Sequence, residues 1–129
     1  MKLIVNTRSG VPIYRQLVQQ IENGIIGGIL KPGEQLSPVR QVALELTVNP
    51  NTIARAYREL ENSGILQSYQ GRGTFVSTVV TAARREDKEL ILRQKLQELM
   101  QEARQLNVDR SRLEVLFDEV LEGWEEEEL

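Results

Sequence analysis

The sequence predicts a mainly α protein with one small β hairpin, laid out in two parts along 129 residues. Three observations lead there. Apolar residues recur at spacings of three and four through most of the chain, the period of amphipathic helices. Only "ILQSYQGRGTFVS" (65–77) reads as two extended stretches around a glycine-rich tip. The charge is also divided. Residues 1–80 hold 8 Lys/Arg and 5 Asp/Glu, a net of +3, whereas residues 81–129 hold 8 Lys/Arg and 14 Asp/Glu, a net of −6.

In chain order, Leu3-Ile4-Val5 predicts a short edge strand. A helix follows from Pro12 to about Ile26, with Pro at the first helical position because its missing N–H had no partner there. Tyr14, Leu17, Val18, Ile21 and Ile25 form its apolar stripe, and Gly27-Gly28 ends it. "KPGEQL" turns at Pro32-Gly33 and leaves a very short extended piece at Gln35-Leu36. The next helix opens at "SPVRQVALEL", with Ser37 as N-cap, Pro38 at the first position, and Val39, Val42, Ala43 and Leu46 as its core face. Thr47-Val48-Asn49 alone separate it from Pro50, where a new N-cap and Pro start a helix that runs to Ser63 and stops at Gly64.

Two short helices joined by three residues make a helix-turn-helix over about residues 39–58. The hairpin that follows, Ile65 to Tyr69 and Thr74 to Ser77 around Gln70-Gly71-Arg72-Gly73, is a wing. A winged helix-turn-helix is therefore expected over residues 1–78, and a helical segment over 79–129.

Composition narrows the chemistry. The chain contains neither Cys nor His, which removes disulfides, thiolate metal sites, the commonest metal ligand and the commonest general base. No catalytic residue, metal-ligand set or cofactor motif stands out, and an enzyme is not expected. No apolar run approaches the roughly 20 residues of a membrane helix. The N-terminus lacks the sections of a secretory signal, so a cytoplasmic protein is expected.

The 50–63 helix points to a partner. Its apolar side is Ile53, Ala56, Tyr57 and Leu60, and the outward side of its first half is Asn51, Thr52 and Arg55 with no acid before Glu59. A merely solvated face mixes Glu and Lys. Asn and Thr can donate and accept at base edges, and Arg can bridge guanine or grip phosphate. The start of the second helix of a helix-turn-helix is the part that reaches bases. Asn49 by itself needs no more than a capping role. Arg58 either sits at the groove edge or pairs with Glu61 or Asn62. Arg40, in a first helical turn where free N–H groups favour an anion, is expected at phosphate or base. Gly71 and Gly73 permit positive φ at the wing tip, and Arg72 between them suits a minor groove, whose negative potential attracts Arg.

"KPGEQLSPVRQVALELTVNPNTIARAYRELENSGILQSYQGRGTFV" resembles the GntR-type winged helix-turn-helix of bacterial transcriptional regulators. The resemblance reaches back to "PIYRQLVQQIENGIIGG" and covers roughly residues 11–77. The short two-helix C-terminal segment is similar to that of the YtrA-type subfamily. The resemblance implies DNA contacts at Arg40, at Asn49 to Thr52 with Arg55, and at Gly71 and Arg72. It also implies control of a neighbouring transporter operon. Two positions depart from the pattern. Ser37-Pro38 reverses the usual order and moves the hydroxyl by one residue. Thr47 stands where Gly is common, and the strain of a β-branched residue at positive φ predicts a turn of slightly different geometry.

In the C-terminal segment Leu92, Leu96, Leu99, Ala103 and Leu106 alternate at steps of four and three. After a break at Asn107-Val108-Asp109, Leu113, Leu116, Phe117, Val120, Leu121 and Trp124 make a second stripe, with Asp109 or Ser111 as its cap. These stripes could pack back on their own domain, line a ligand cavity or form a dimer interface. A heptad pattern of about 23 residues spans about 35 Å, more than a small winged domain covers, so an antiparallel two-helix dimerisation segment is expected. Phe117 and Trp124 are its anchors, and Glu125 to Glu128 are a solvated tail.

The expected function is a homodimeric, sequence-specific regulator, a repressor binding a pseudo-palindromic double-stranded operator, with room for a small-molecule effector that no motif identifies. The alternative is a winged module whose helical appendage docks another protein.

Overall fold

The computed structural model describes residues 1–78 and 87–128. They belong to two compact units, Met1–Lys88 and Glu89–Leu129. The boundary expected between residues 78 and 79 falls at the edge of 79–86, which lie outside the described residues.

The first unit runs α1 (Ile13–Ile26), α2 (Val39–Leu46), α3 (Pro50–Asn62), β1 (Leu66–Tyr69) and β2 (Gly73–Val76). Helix α3 is its centre and packs on α1, α2 and β1. The core that results draws Leu17, Ile21 and Ile25 from α1, Val42 and Ala43 from α2, Ile53, Ala56 and Leu60 from α3, and Leu66 and Val76 from the wing. The strands pair antiparallel, Leu66 opposite Val76 and Tyr69 opposite Gly73. A single bridge from Gln35 to Phe75 adds the segment before α2 to the free side of β2. Gly73, expected in the hairpin tip, is the first residue of β2. The tip turns because the Arg72 N–H bonds the Tyr69 carbonyl at 2.9 Å and Gly71 takes φ +78°, a value that favours Gly.

Local start signals are corrected in three places. Pro12 and Pro38 are N-cap residues with extended ψ of 144° and 149°, not first helical residues. Ser37 consequently stands one place too early to cap α2, and no side chain caps that helix. The edge strand expected at Leu3 to Val5 does not form. Instead the side-chain amide of Gln20 accepts from the Ile4 N–H at 2.9 Å and donates to the Ile4 carbonyl. Gln16, one turn earlier, treats Asn6 in the same way. Two glutamines on α1 thus satisfy the backbone groups that a strand partner would have taken.

Three helices end on one device. Gly64 (φ +80°), Thr47 (φ 55°) and Asn107 (φ 58°) are left-handed, and the residue after each sends its N–H back to the carbonyl of Leu60, Ala43 or Ala103. The turn between α2 and α3 therefore keeps the usual left-handed geometry despite its threonine. The expectation of a different turn is overturned because the returning Val48 N–H bond, 3.0 Å to Ala43, holds the residue there.

The second unit is made of α4 (Lys88–Gln105), from its second residue Glu89 onward, and α5 (Arg110–Glu128), joined by the turn at Asn107. Asp109 caps α5 through its carboxylate, which accepts from the Arg112 N–H at 2.9 Å. Of the two apolar stripes, Ala103 is 5% exposed and Leu113 is half-buried. The rest stay open, among them Leu92 at 60%, Phe117 at 57% and Trp124 at 54%. Leu96, Leu99, Leu113, Leu116 and Phe117 border an apolar groove of about 590 Å³ shared by the two helices.

Candidate nucleic-acid interface

The start of α3 is built by Asn49. Its side-chain oxygen accepts the Asn51 N–H at 2.8 Å, and Pro50 supplies the next φ, so this turn is fixed before any ligand arrives. That bond commits the Asn49 oxygen and leaves its NH₂ as the group available outward. Asn51 is exposed and Thr52 half-buried.

Arg55 is exposed, but it is not loose. Its guanidinium carbon lies 3.7 Å from the centre of the Tyr14 ring on α1. Beside it, Arg15 pairs with Glu59 at 3.3 Å and ties the same two helices together. Arg58 is exposed and makes no ion pair among the described residues. Neither Glu61 nor Asn62 pairs with it among the described residues, and Glu61 accepts from the Ser68 hydroxyl on β1.

At α2, Arg40 is exposed in the first turn. With no side-chain cap, the N–H groups of that turn remain available to an anion, and the positive end of the helix dipole favours one. The Ser37 hydroxyl does not serve them. Its carbonyl accepts from the Tyr57 hydroxyl at 2.7 Å, which locks the entry of α2 to α3. Burial pushes the Tyr57 phenol up to about 12.

The wing is tied to the same entry segment. The Gln35 amide donates to the Arg72 carbonyl at 2.9 Å. Gly73 stands against it at φ +118°, where an added Cβ would come within 2.6 Å of the Gln35 nitrogen. Arg72 and Gly71 are exposed at the tip. The wing tip, the start of α2 and α3 are thus linked in series through Gln35–Arg72 and Ser37–Tyr57.

Tyr14, Gln35 and the Tyr57 hydroxyl are the supporting groups that the sequence did not single out. Tyr57 alone carried a signal, since a tyrosine on a core stripe needs a partner for its hydroxyl. Tyr14 and Gln35 act across 41 and 37 residues, and no local spacing marks such pairs.

The family described as bacterial regulatory proteins, gntR family, matches residues 13–76. The HTH-type transcriptional repressor YtrA of Bacillus subtilis (strain 168) is 35% identical over 116 residues, covering 90% of this chain and 89% of that protein. This chain belongs to the GntR family. It is therefore a mainly helical, winged-helix member of a family of DNA-binding transcriptional regulators. An alignment of 116 residues is longer than the 13–76 stretch, so the likeness to YtrA runs into the helical segment. A GntR family transcriptional regulator from Listeria monocytogenes superposes with a TM-score of 0.67 at 30% identity, over 86% of this chain and 96% of that one. AraR(DBD) in complex with operator ORX1 matches 60% of this chain and 96% of its own, with a TM-score of 0.53 and 26% identity. Among the described residues no helix is long and apolar enough to cross a membrane.

Proposed function

We propose that this protein is a sequence-specific transcriptional repressor that binds a pseudo-palindromic operator as a homodimer. The observation that bears most weight is the first half of α3. Its outer face offers Asn51, Thr52 and Arg55 to base edges, free of acids and fixed by the Asn49 cap. Arg40, the Asn49 amide and Arg58 serve as phosphate and groove-edge contacts, as does Ser37 through its exposed hydroxyl. Arg72, flanked by Gly71 and Gly73, reaches into a minor groove from the wing. The operator complex of AraR, a structural relative, supports this reading of the winged unit.

The open stripes of α4 and α5 supply the dimer contact, through Leu92, Leu96, Leu99 and Leu106 on one helix and Leu116, Phe117, Val120, Leu121 and Trp124 on the other. Ala103 and Leu113 shape that surface from below. Two recognition helices then meet successive major grooves about 34 Å apart, or a multiple of that. Control of a transporter operon belongs to the same reading through the resemblance to the YtrA-type subfamily, and the groove between α4 and α5 leaves room for release by a small-molecule effector.

Random-pool selection with the full chain, followed by gel-shift titration on the selected and a scrambled duplex, tests the proposal. An enriched inverted repeat is expected, and Arg55→Ala should lose about 1–3 kcal/mol on the selected duplex. No enrichment of any sequence would favour the protein-docking alternative.

A further inference from the structure

We infer that Tyr14 is a positioning residue for DNA reading, because its ring lies against the Arg55 guanidinium, whose central carbon is 3.7 Å from the ring centre, and holds that cation without an ion pair. The inference rests on the proposed role of Arg55 at a base. A guanidinium presents its five N–H donors in its own plane, so stacking on a ring occupies its face and not its donors. An ion pair would do the opposite. The carboxylate best placed to form one is Glu59, one turn along α3, and it is already held by Arg15 at 3.3 Å. Arg15 itself lies 5.9 Å from the Tyr14 ring centre against 3.7 Å for Arg55, so the ring serves Arg55. No hydrogen bond of the described residues uses the Arg55 donors.

The arrangement also lowers the cost of ordering. A free arginine must give up rotamer freedom when it docks bidentately, and one already held over an aromatic ring has less to lose. Tyr14 is fixed in turn, because α1 packs on α3 and the Arg15–Glu59 pair joins them at the same level. The effect belongs to one base position and not to the whole duplex.

The test compares wild type, Arg55→Ala, Tyr14→Leu and Tyr14→Phe. Each is titrated with the duplex selected by the wild-type chain and with its single-base variants. Arg55→Ala should flatten discrimination at one position of each half-site. Tyr14→Leu should reduce discrimination at that same position about 2–5-fold, the worth of an exposed cation–π contact. Tyr14→Phe should retain it, since phenylalanine also offers a ring face. In the free protein, NMR of the Arg55 Nε–Hε group should show a ring-current shift that is lost in Tyr14→Leu and kept in Tyr14→Phe.

Unchanged discrimination in a folded Tyr14→Leu, with Arg55→Ala flattened, overturns the inference alone. So does a uniform loss over all duplexes, which a structural role would give, or a ring-current shift absent from wild type. If Arg55→Ala flattens nothing, the base-reading role of Arg55 fails first and this inference falls with it.

Discussion

The Tyr57 hydroxyl donates to the Ser37 carbonyl at 2.7 Å, and this one bond joins the residue before the α2 N-cap to the middle of α3. Ser37 cannot cap α2, so its backbone, and not its side chain, fixes where that helix begins. Tyr57→Phe keeps the packed ring and removes the donor. It should cost about 0.5–1.5 kcal/mol in urea unfolding. Affinity for DNA should fall as well, because Arg40 rides on the released turn. A variant with wild-type stability and affinity would show that the bond is incidental.

The same phenol gives a prediction at alkaline pH. Burial raises it from 10.0 to about 12. Between those values the unfolded chain has lost the proton while the folded chain keeps it, so stability falls as pH rises through the window. Below pH 10 the contribution is complete. The stability gap between wild type and Tyr57→Phe should therefore close as pH rises from 9 and change sign before pH 12, read by denaturant unfolding at each pH. A constant gap would place the phenol in an ordinary environment.

Thr47 shows where sequence reasoning holds and where it stops. The helix-turn-helix was legible because helical spacing, the Asn49-Pro50 start and the Gly64 stop are local signals. The left-handed threonine was not, since its strain alone argues for another turn. What decides it is the returning Val48 N–H bond to Ala43, the same closure that ends α3 and α4. Tyr14 over Arg55 and Gln20 along Ile4 were also invisible, because each joins elements whose mutual placement depends on the whole core. Thr47 is exposed, so Thr47→Gly removes no packing. A left-handed L-residue costs about 1–2 kcal/mol, and the extra unfolded-state entropy of Gly returns about 0.5–1 kcal/mol of that. Thermal unfolding should show a net gain of about 0.5–1 kcal/mol, and a loss would mean that the threonine side chain has a stabilising contact.

At the wing, Gly73 has both a positive φ and Gln35 close against it. Gly73→Ala should destabilise the hairpin by about 1–3 kcal/mol through backbone strain. Gln35→Ala tests the second half separately. It leaves the backbone unstrained but frees the Arg72 carbonyl, so it should weaken DNA binding with little change in unfolding. Arg72→Ala should weaken binding too, and reduce the salt slope by about 1 if the residue meets phosphate. Equal binding by wild type and Gln35→Ala would mean that the wing needs no such tie.

The groove between α4 and α5 makes the sharpest demand on the proposed dimer. Leu99 and Phe117 face solvent in the single chain, so a charge there costs the unit little by itself. In a dimer each would be buried against the partner, and an unpaired buried carboxylate is costly. Leu99→Glu with Phe117→Glu should therefore convert the sedimenting species to a single chain of 14.7 kDa while circular dichroism keeps its helical signal. The winged unit of each chain would then meet one half-site alone. Losing the second, linked contact should lower operator affinity about 10²–10⁴-fold, with the base preference at each half-site preserved. A variant that remains a dimer would move the interface away from these stripes. One that becomes a monomer yet binds the full operator as tightly would separate dimerisation from DNA recognition.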